Sequence, residues 1–131
     1  MPAALLVAAL LPTPAAAASA PTNAAVAARI AGQLGCLAFA YYPGANSASS
    51  SQGQLDCQLK RQTFVVHVFA DNRDRAKGIA HLKLWSGPDV YFFAKTRRAV
   101  IVPRGDFARR PFTKRWATIA ADRTGGKVFS G

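Results

Sequence analysis

Apolar residues recur at helical spacing near the start of the chain and then give way to a β-prone run. This first stripe predicts a helix over about 24–34, and it consists of Ala25, Ala28, Ile30, Ala31 and Leu34. Gly35 follows at the position of a left-handed C-terminal cap. Residues 37–42 then predict a short strand. Two flanking stretches are expected to be irregular, a tether over 21–28 that grades into this first helix and a flexible polar loop over 45–53.

The middle of the chain is more regular. Two strands are predicted over 55–61 and 63–70, and the second is nearly continuous in β-forming residues, which indicates a strand covered on both faces. Asp71 and Asn72 then offer N-cap side chains for a second helix. The apolar positions of that helix recur at helical spacing, and they are Ala76, Ile79, Ala80 and Leu82. The helix is expected to end before Ser86.

The last third of the chain predicts a hairpin and a helix. Strands over 89–95 and 99–103 are joined tightly, and a helix is predicted over about 110–124, with Pro111 in its first turn and Gly125 after its end. The predicted order is therefore α-β-β-β-α-β-β-α. Strands that follow one another in pairs favour an antiparallel sheet, here of four to five strands, with two to three helices packed on one side. The fold class is α+β.

The first twenty residues have the pattern of a secretory signal peptide. An uncharged apolar run over 3–11 is too short to cross a bilayer, which takes about 20 residues. Small residues after it offer cleavage after Ala18 or Ala20, and we favour Ala18 because Pro21 would otherwise begin the mature chain. The alternative is a disordered leader on a cytoplasmic protein. Residues 21–131 then form a single small domain, secreted or held in the cell envelope, with no transmembrane segment.

Two cysteines, Cys36 and Cys57, are the only ones in the chain. In an exported protein an isolated pair most simply forms a disulfide, which would stabilise so small a domain by on the order of 3 kcal/mol. Two free thiols or one intermolecular bridge are the alternatives. A zinc site that combines both cysteines with His67 and His81 is disfavoured, because structural zinc ligands usually come in close pairs. No metal or other cofactor is expected.

Charge is distributed very unevenly along the sequence. Of the 17 Lys and Arg residues, 16 lie between Lys60 and Lys127, and the chain has no glutamate and a formal net charge of +11. Such an excess attracts polyanions. The candidate anion-binding residues lie on two helices and one hairpin tip, and they are Arg73, Lys77, Arg97, Arg98, Arg110 and Lys114. The aromatic residues Trp85, Tyr91 and Trp116 offer stacking surface. The alternative is that the basicity only reflects the base composition of the genome.

No catalytic motif accompanies this charge. His67 and His81 suggest a small nuclease or hydrolase, in which one imidazole accepts a proton and the other donates one, but no spacing motif connects them. Nucleophile elbows and phosphate-binding glycine loops are absent from the sequence. The sequence therefore predicts no catalytic residues.

Several longer stretches resemble a known group of proteins. The segments FVVHVFADNRDRA, VYFFAKTRRAVIVP and RWATIAADRTGG, with a helix that ends in Gly35-Cys36 and a strand that carries Cys57, are similar to small exported disulfide-containing proteins of high-GC Gram-positive (actinobacterial) bacteria. The resemblance implies the fold and export, and it implies no activity.

Taken together, the expected function is that of an exported, non-enzymatic basic module. Its partner would be an anionic cell-envelope polymer, a lipid headgroup or extracellular nucleic acid. The alternative is a protein-interaction or inhibitor module that inserts the hairpin over 95–99 into an acidic cleft of its partner.

Overall fold

The computed structural model describes residues 21–46, 51–85, 92–104 and 110–130. The expected signal peptide, residues 1–20, lies outside this part of the chain. Three helices and six strands follow one another in the order α1 (Asn23–Leu34), β1 (Ala38–Asn46), β2 (Ser51–Gln58), β3 (Thr63–Val68), α2 (Asn72–Trp85), β4 (Phe92–Lys95), β5 (Ala99–Arg104), α3 (Arg110–Thr124) and β6 (Lys127–Ser130).

The six strands form one antiparallel sheet in the order β1-β2-β3-β5-β4-β6. The predicted α+β class and the predicted element order are confirmed, with β6 added at the end of the chain. Strand β3 lies inside the sheet, and all of its residues after Thr63 are buried. This agrees with the expectation that its continuous β-forming sequence is covered on both faces.

The helices pack on both faces of the sheet, so the expectation that they share one side was wrong. Because side chains alternate between the faces of a strand, neighbouring residues belong to different cores. Leu55, Val66 and Ile101 pack against α1 and α3, which we call the α1/α3 face. On the opposite face, the α2 face, Ile79 and Leu82 of α2 pack against a second cluster, which consists of Phe69, Phe93 and Val100 with Val102 and Phe129. A sheet that is apolar on both faces needs cover on both.

The predicted disulfide joins the end of α1 to β2. Cys36 and Cys57 are bonded, with their Cα atoms 5.4 Å apart, and Cys57 is fully buried on the α1/α3 face. Gly35 has a positive φ of 74° and its N–H bonds to the carbonyl oxygen of Ala31, which confirms the predicted C-terminal cap. The bridge therefore fixes the point where the chain leaves α1 and enters the sheet.

Two segments expected to be irregular are partly ordered. The tether over 21–28 is wrong for most of its length, because α1 begins at Asn23, where the Thr22 hydroxyl accepts a hydrogen bond from the Ala25 N–H at 3.1 Å. The loop over 45–53 is also shorter than expected. Strand β1 extends to Asn46 and β2 begins at Ser51, because the two strands pair well beyond the apolar part of their sequences. Residues 47–50 lie outside the described part.

No helix in the described ranges is long and apolar enough to span a membrane.

Candidate functional site

The β4–β5 turn lies beside the start of α2 at one end of the sheet, which we call the hairpin end. The guanidinium of Arg75, in the first turns of α2, donates hydrogen bonds to the carbonyl oxygens of Thr96 and Arg97 in this turn. The Phe69 N–H, just before α2, donates to the carbonyl oxygen of Arg98 at 2.8 Å. These bonds hold the turn against the start of the helix, so that basic residues from separate elements are brought together.

Arg98 uses its charged group within the protein. Its Nε donates to the carbonyl oxygen of Phe69 at 3.1 Å, its Nη1 to the carbonyl oxygen of Pro21 at 2.5 Å, and its Nη2 to the Oδ1 of Asn23 at 2.6 Å. The side chain thus connects the hairpin tip to the start of α1. Of the residues expected to bind anions, Arg98 is therefore the one whose side chain connects elements of the fold.

Five other cations lie on the elements that meet at the hairpin end, and within the described residues none of their side chains donates a hydrogen bond to the protein. We call them the hairpin-end cluster: Arg73, Lys77, Lys95, Arg97 and Lys127. All are exposed except Lys95, which is half-buried. Within the described part of the chain, none of them forms an ion pair with a carboxylate. The neighbouring Asp71 accepts the Asp74 N–H at 2.9 Å and caps the start of α2.

The most unusual contact in this cluster is a cross-strand pair of lysines. Lys95 of β4 lies directly opposite Lys127 of β6 in the antiparallel register. The Lys95 Nζ lies 5.7 Å from the centroid of the Phe129 ring, which gives that charge a partial cation–π contact. Like charges directly opposite each other destabilise a sheet. An anion that contacts both ammonium groups would remove this repulsion.

The structure does not bring all six predicted residues together. Arg73, Lys77 and Arg97 lie at the hairpin end, but Lys114 lies on α3, across the sheet from α2. Arg110 begins α3, and its side chain lies outside the described part. The same is true of the side chains of Trp85 and Tyr91. Trp116 packs against the core on the α1/α3 face, with the centroid of its ring 6.1 Å from that of Phe64. Its ring is therefore not presented for stacking on a ligand.

Two members of the cluster were not identified from the sequence. Lys95 was assigned only to the interaction hairpin, and Lys127 was overlooked because no strand was expected after Gly125. The signal was present as two adjacent β-forming residues, Val128 and Phe129, shortly after two glycines. A four-residue strand carries too little pattern to be identified without its neighbour.

His67 is buried in the middle of the sheet. It is only 9% exposed, and burial lowers its pKa from 6.5 to about 4, although the nearby Asp56 carboxylate acts in the opposite direction. Gln54 donates a hydrogen bond to Asp56 at 3.0 Å. His81 lies half-buried on α2. A neutral imidazole within the sheet is poorly placed to exchange protons with a polymeric substrate, so the geometry does not favour the nuclease alternative.

The cysteines cannot serve as metal ligands while they are bonded to each other. Among the described residues no group of three or more histidine, cysteine, aspartate or glutamate side chains is arranged to hold a metal ion. A zinc site made from both cysteines with His67 and His81, which the sequence already disfavoured, would therefore require the disulfide to be broken.

Comparisons of the chain with protein-family models, with curated proteins and with solved structures give no match.

Proposed function

We propose that the protein is an exported, non-enzymatic module that binds a phosphate-bearing anionic polymer through the hairpin-end cluster. The observation that carries the proposal is the Lys95–Lys127 pair, with Arg97 in the adjacent turn. A fold that places two lysines directly opposite each other on neighbouring strands, with neither forming an ion pair to a carboxylate of the described residues, loses stability. Bound phosphate groups would recover that loss, and the remaining cations of the cluster would extend the contact along the polymer.

A linear phosphate polymer suits this surface better than a membrane or a nucleic acid. Peripheral membrane binding combines basic residues with apolar side chains that enter the lipid. In the described part of the chain the exposed large apolar residues lie in or next to β1, which three strands separate from β4, and they are Leu37, Phe39 and Tyr42. Single-stranded nucleic acids stack on exposed aromatic rings. Phe129, whose ring lies beside the Lys95 ammonium, is half-buried and packs against the cluster on the α2 face.

Two further observations support an extracytoplasmic location. The disulfide is typical of oxidising compartments and rare in the cytosol. The apolar run at the start of the sequence has the length of the hydrophobic region of a signal peptide. Processing of this leader can be tested by N-terminal sequencing of the protein recovered from culture supernatant.

The test compares two triple variants that remove the same charge at different places. Lys95→Gln/Arg97→Gln/Lys127→Gln neutralises the centre of the cluster. Lys60→Gln/Arg61→Gln/Arg104→Gln neutralises three exposed cations at the other end of the sheet. Binding of long-chain inorganic polyphosphate is measured by calorimetry at 50 and 200 mM NaCl. We expect the first variant to lose about tenfold or more in affinity. The slope of log affinity against log salt concentration should fall by an amount that corresponds to about two to three phosphate contacts.

The control variant should stay within about threefold of the wild-type affinity. Equal losses in the two triple variants would contradict a localised site and would leave only a general effect of net charge. Tighter binding of single-stranded DNA, or of vesicles with anionic lipid, than of polyphosphate at equal charge would contradict the choice of polymer.

A second candidate function rests on the bracing of the same turn. Arg75 donates hydrogen bonds to the backbone of the 95–99 hairpin, and the Arg98 side chain anchors the hairpin to Phe69, while the Arg97 side chain stays exposed at its tip. Rigid loops bind partner clefts at a low entropic cost. A protein captured from culture supernatant in stoichiometric amount, and lost with Arg97→Ala, would favour this function over polymer binding.

A further inference from the structure

The two edges of the sheet differ in the way that they are protected. The β6 edge has only four residues and begins with Lys127. The β1 edge has nine residues and no charged side chain. Short strands and lysines are common means by which edge strands avoid pairing with other chains. Strand β1 has neither, and its proline and the irregularity in its pairing both lie at its far end, between Pro43 and Asn46. Within the described ranges no further strand pairs with the outer side of β1.

Strand β1 also exposes large apolar side chains. Leu37, immediately before the strand, is 75% exposed, Phe39 is 59% exposed and Tyr42 is 54% exposed. They lie within six consecutive residues, 37–42. Pro43 follows, and because proline has no N–H, an added strand could not continue the regular ladder past it. The exposed segment is therefore a defined stretch of strand rather than a scattered set of apolar residues.

The backbone of this segment is firmly attached to the rest of the sheet. Residues 38–43 pair continuously with β2, and the disulfide at Cys36 fixes the start of the strand. On the α1/α3 face, the Tyr41 ring lies over Gly53, where it occupies the space that a Cβ would take. An edge that is already ordered binds an additional strand without a large entropic penalty.

The charge distribution indicates which partner fits this edge. The sequence contains no charged residue from Ile30 to Leu55, although the whole chain has a net charge of +11. In a two-fold symmetric dimer the same surface of each copy meets itself, so a charged surface would face its own sign. The β1 edge, formed within this uncharged stretch, avoids that repulsion. A strongly acidic or basic partner would gain nothing electrostatic there.

We propose that two copies of the protein pair through their β1 edges, antiparallel over residues 37–42, to form one continuous twelve-stranded sheet. The inference does not depend on anion binding. Pairing of six residues with a few apolar side chains buries less area than a typical stable interface, so we expect a dissociation constant on the order of 10 µM. Such a dimer would have two hairpin-end clusters, one on each copy.

The test is sedimentation velocity of the oxidised protein from 1 to 500 µM, without any polyanion, at 50 and 500 mM NaCl. We expect a monomer–dimer equilibrium that salt does not weaken, because the interface is uncharged. Phe39→Lys and, as a second variant, Tyr42→Lys should each raise the dissociation constant at least tenfold. Ala28→Lys adds the same charge on an exposed position of α1 and should leave the constant within twofold. Circular dichroism checks that each variant is folded.

Hydrogen exchange locates the interface. Backbone amides of 37–42 should be slower to exchange at 500 µM than at 5 µM, and those of β6 should not change. A monomer at every concentration would overturn the proposal. So would a dimer that both lysine variants form as readily as the wild type, a dimer without protection in β1, or growth into open-ended oligomers. The measurement is repeated with a chain that lacks residues 1–20. If both the full and the shortened chain are monomeric at every concentration, the β1 edge is not a self-association surface.

Discussion

Within the described part of the chain, three arginine side chains donate hydrogen bonds to backbone carbonyl oxygens. Arg75 binds the β4–β5 turn, Arg98 binds the carbonyls of Phe69 and Pro21, and Arg123 binds the carbonyl of Leu34 at 2.7 Å. Because the guanidinium has several donors in a fixed plane, it can connect elements that are distant in sequence. These charges hold the fold together, and they contribute to the net charge without being directed at a ligand.

His67 makes the stability of the protein depend on pH. Burial lowers the pKa of its imidazole from the ordinary value of 6.5 to about 4, so the folded protein favours the neutral ring. The associated stability is fully present above pH 6.5 and is lost progressively as the pH falls from 6.5 to about 4. The expected loss is about 3 kcal/mol, from 1.36 kcal/mol for each pKa unit.

Urea unfolding at pH 7, 5.5 and 4 measures this effect. His67→Gln should be less sensitive to pH over this interval than the wild type. His81→Gln, which leaves His67 in place, should keep the wild-type dependence. If His67→Gln lost stability with acid as steeply as the wild type, the imidazole would not be the group responsible.

The turn between α3 and β6 depends on the absence of a side chain at Gly126. A Cβ there would overlap the backbone carbonyl oxygen of Lys95 and lie 3.1 Å from its carbonyl carbon. Since backbone cannot rotate away as a side chain can, Gly126→Ala should push β6 from β4 and destabilise the protein by about 1–3 kcal/mol. Thermal and urea unfolding measure the loss.

Gly32 provides the matched control. It lies on the exposed side of α1 with nothing within 4 Å of a built Cβ. Gly32→Ala should therefore stabilise the protein by about 0.5–1 kcal/mol, because alanine is the better helix former. A destabilised Gly32→Ala, or an unaffected Gly126→Ala, would contradict the packing described for these elements.

At the level of elements, most of the fold could be predicted from local pattern. Apolar periodicity located all three helices, and Gly35 located the end of α1. What could not be predicted depends on distant partners. Strand β6 needs β4 beside it, and the position of α2 on its own face follows from contacts of Ile79 and Leu82 with strands before and after it. The local sequence pattern of these elements does not indicate which distant residues they contact.

Charge is separated across the whole molecule. The uncharged stretch from Ile30 to Leu55 supplies β1 and the start of β2, whereas almost all of the basic residues lie in later elements. The sequence located the basic residues but not which of them meet. Arg97 and Arg98 are adjacent in the chain, yet among the described residues only the Arg98 side chain forms hydrogen bonds within the protein, including those to Pro21 and Asn23. These two partners are 75 residues or more away along the chain.

The cost of concentrating charge at the hairpin end can be measured. Because like charges repel, the wild-type melting temperature should rise as NaCl is increased from 20 to 300 mM. Lys127→Glu should stabilise the low-salt protein by about 0.2–1 kcal/mol, since it converts the pair with Lys95 into one of opposite charges. The same change at Arg61, in the β2–β3 turn, has no cross-strand lysine to pair with and should have a smaller effect. Equal effects would indicate net charge rather than the local pair.

The contacts that attach α1 affect the order in which the parts of the molecule fold. Its first turn is held by Arg98, 75 residues beyond Asn23, and its last turn by Arg123, 89 residues beyond Leu34. Contacts that close such long loops form late, because the chain must first lose a large amount of entropy. We therefore expect α1 to acquire its final position only after the β4–β5 turn and α3 have docked against it.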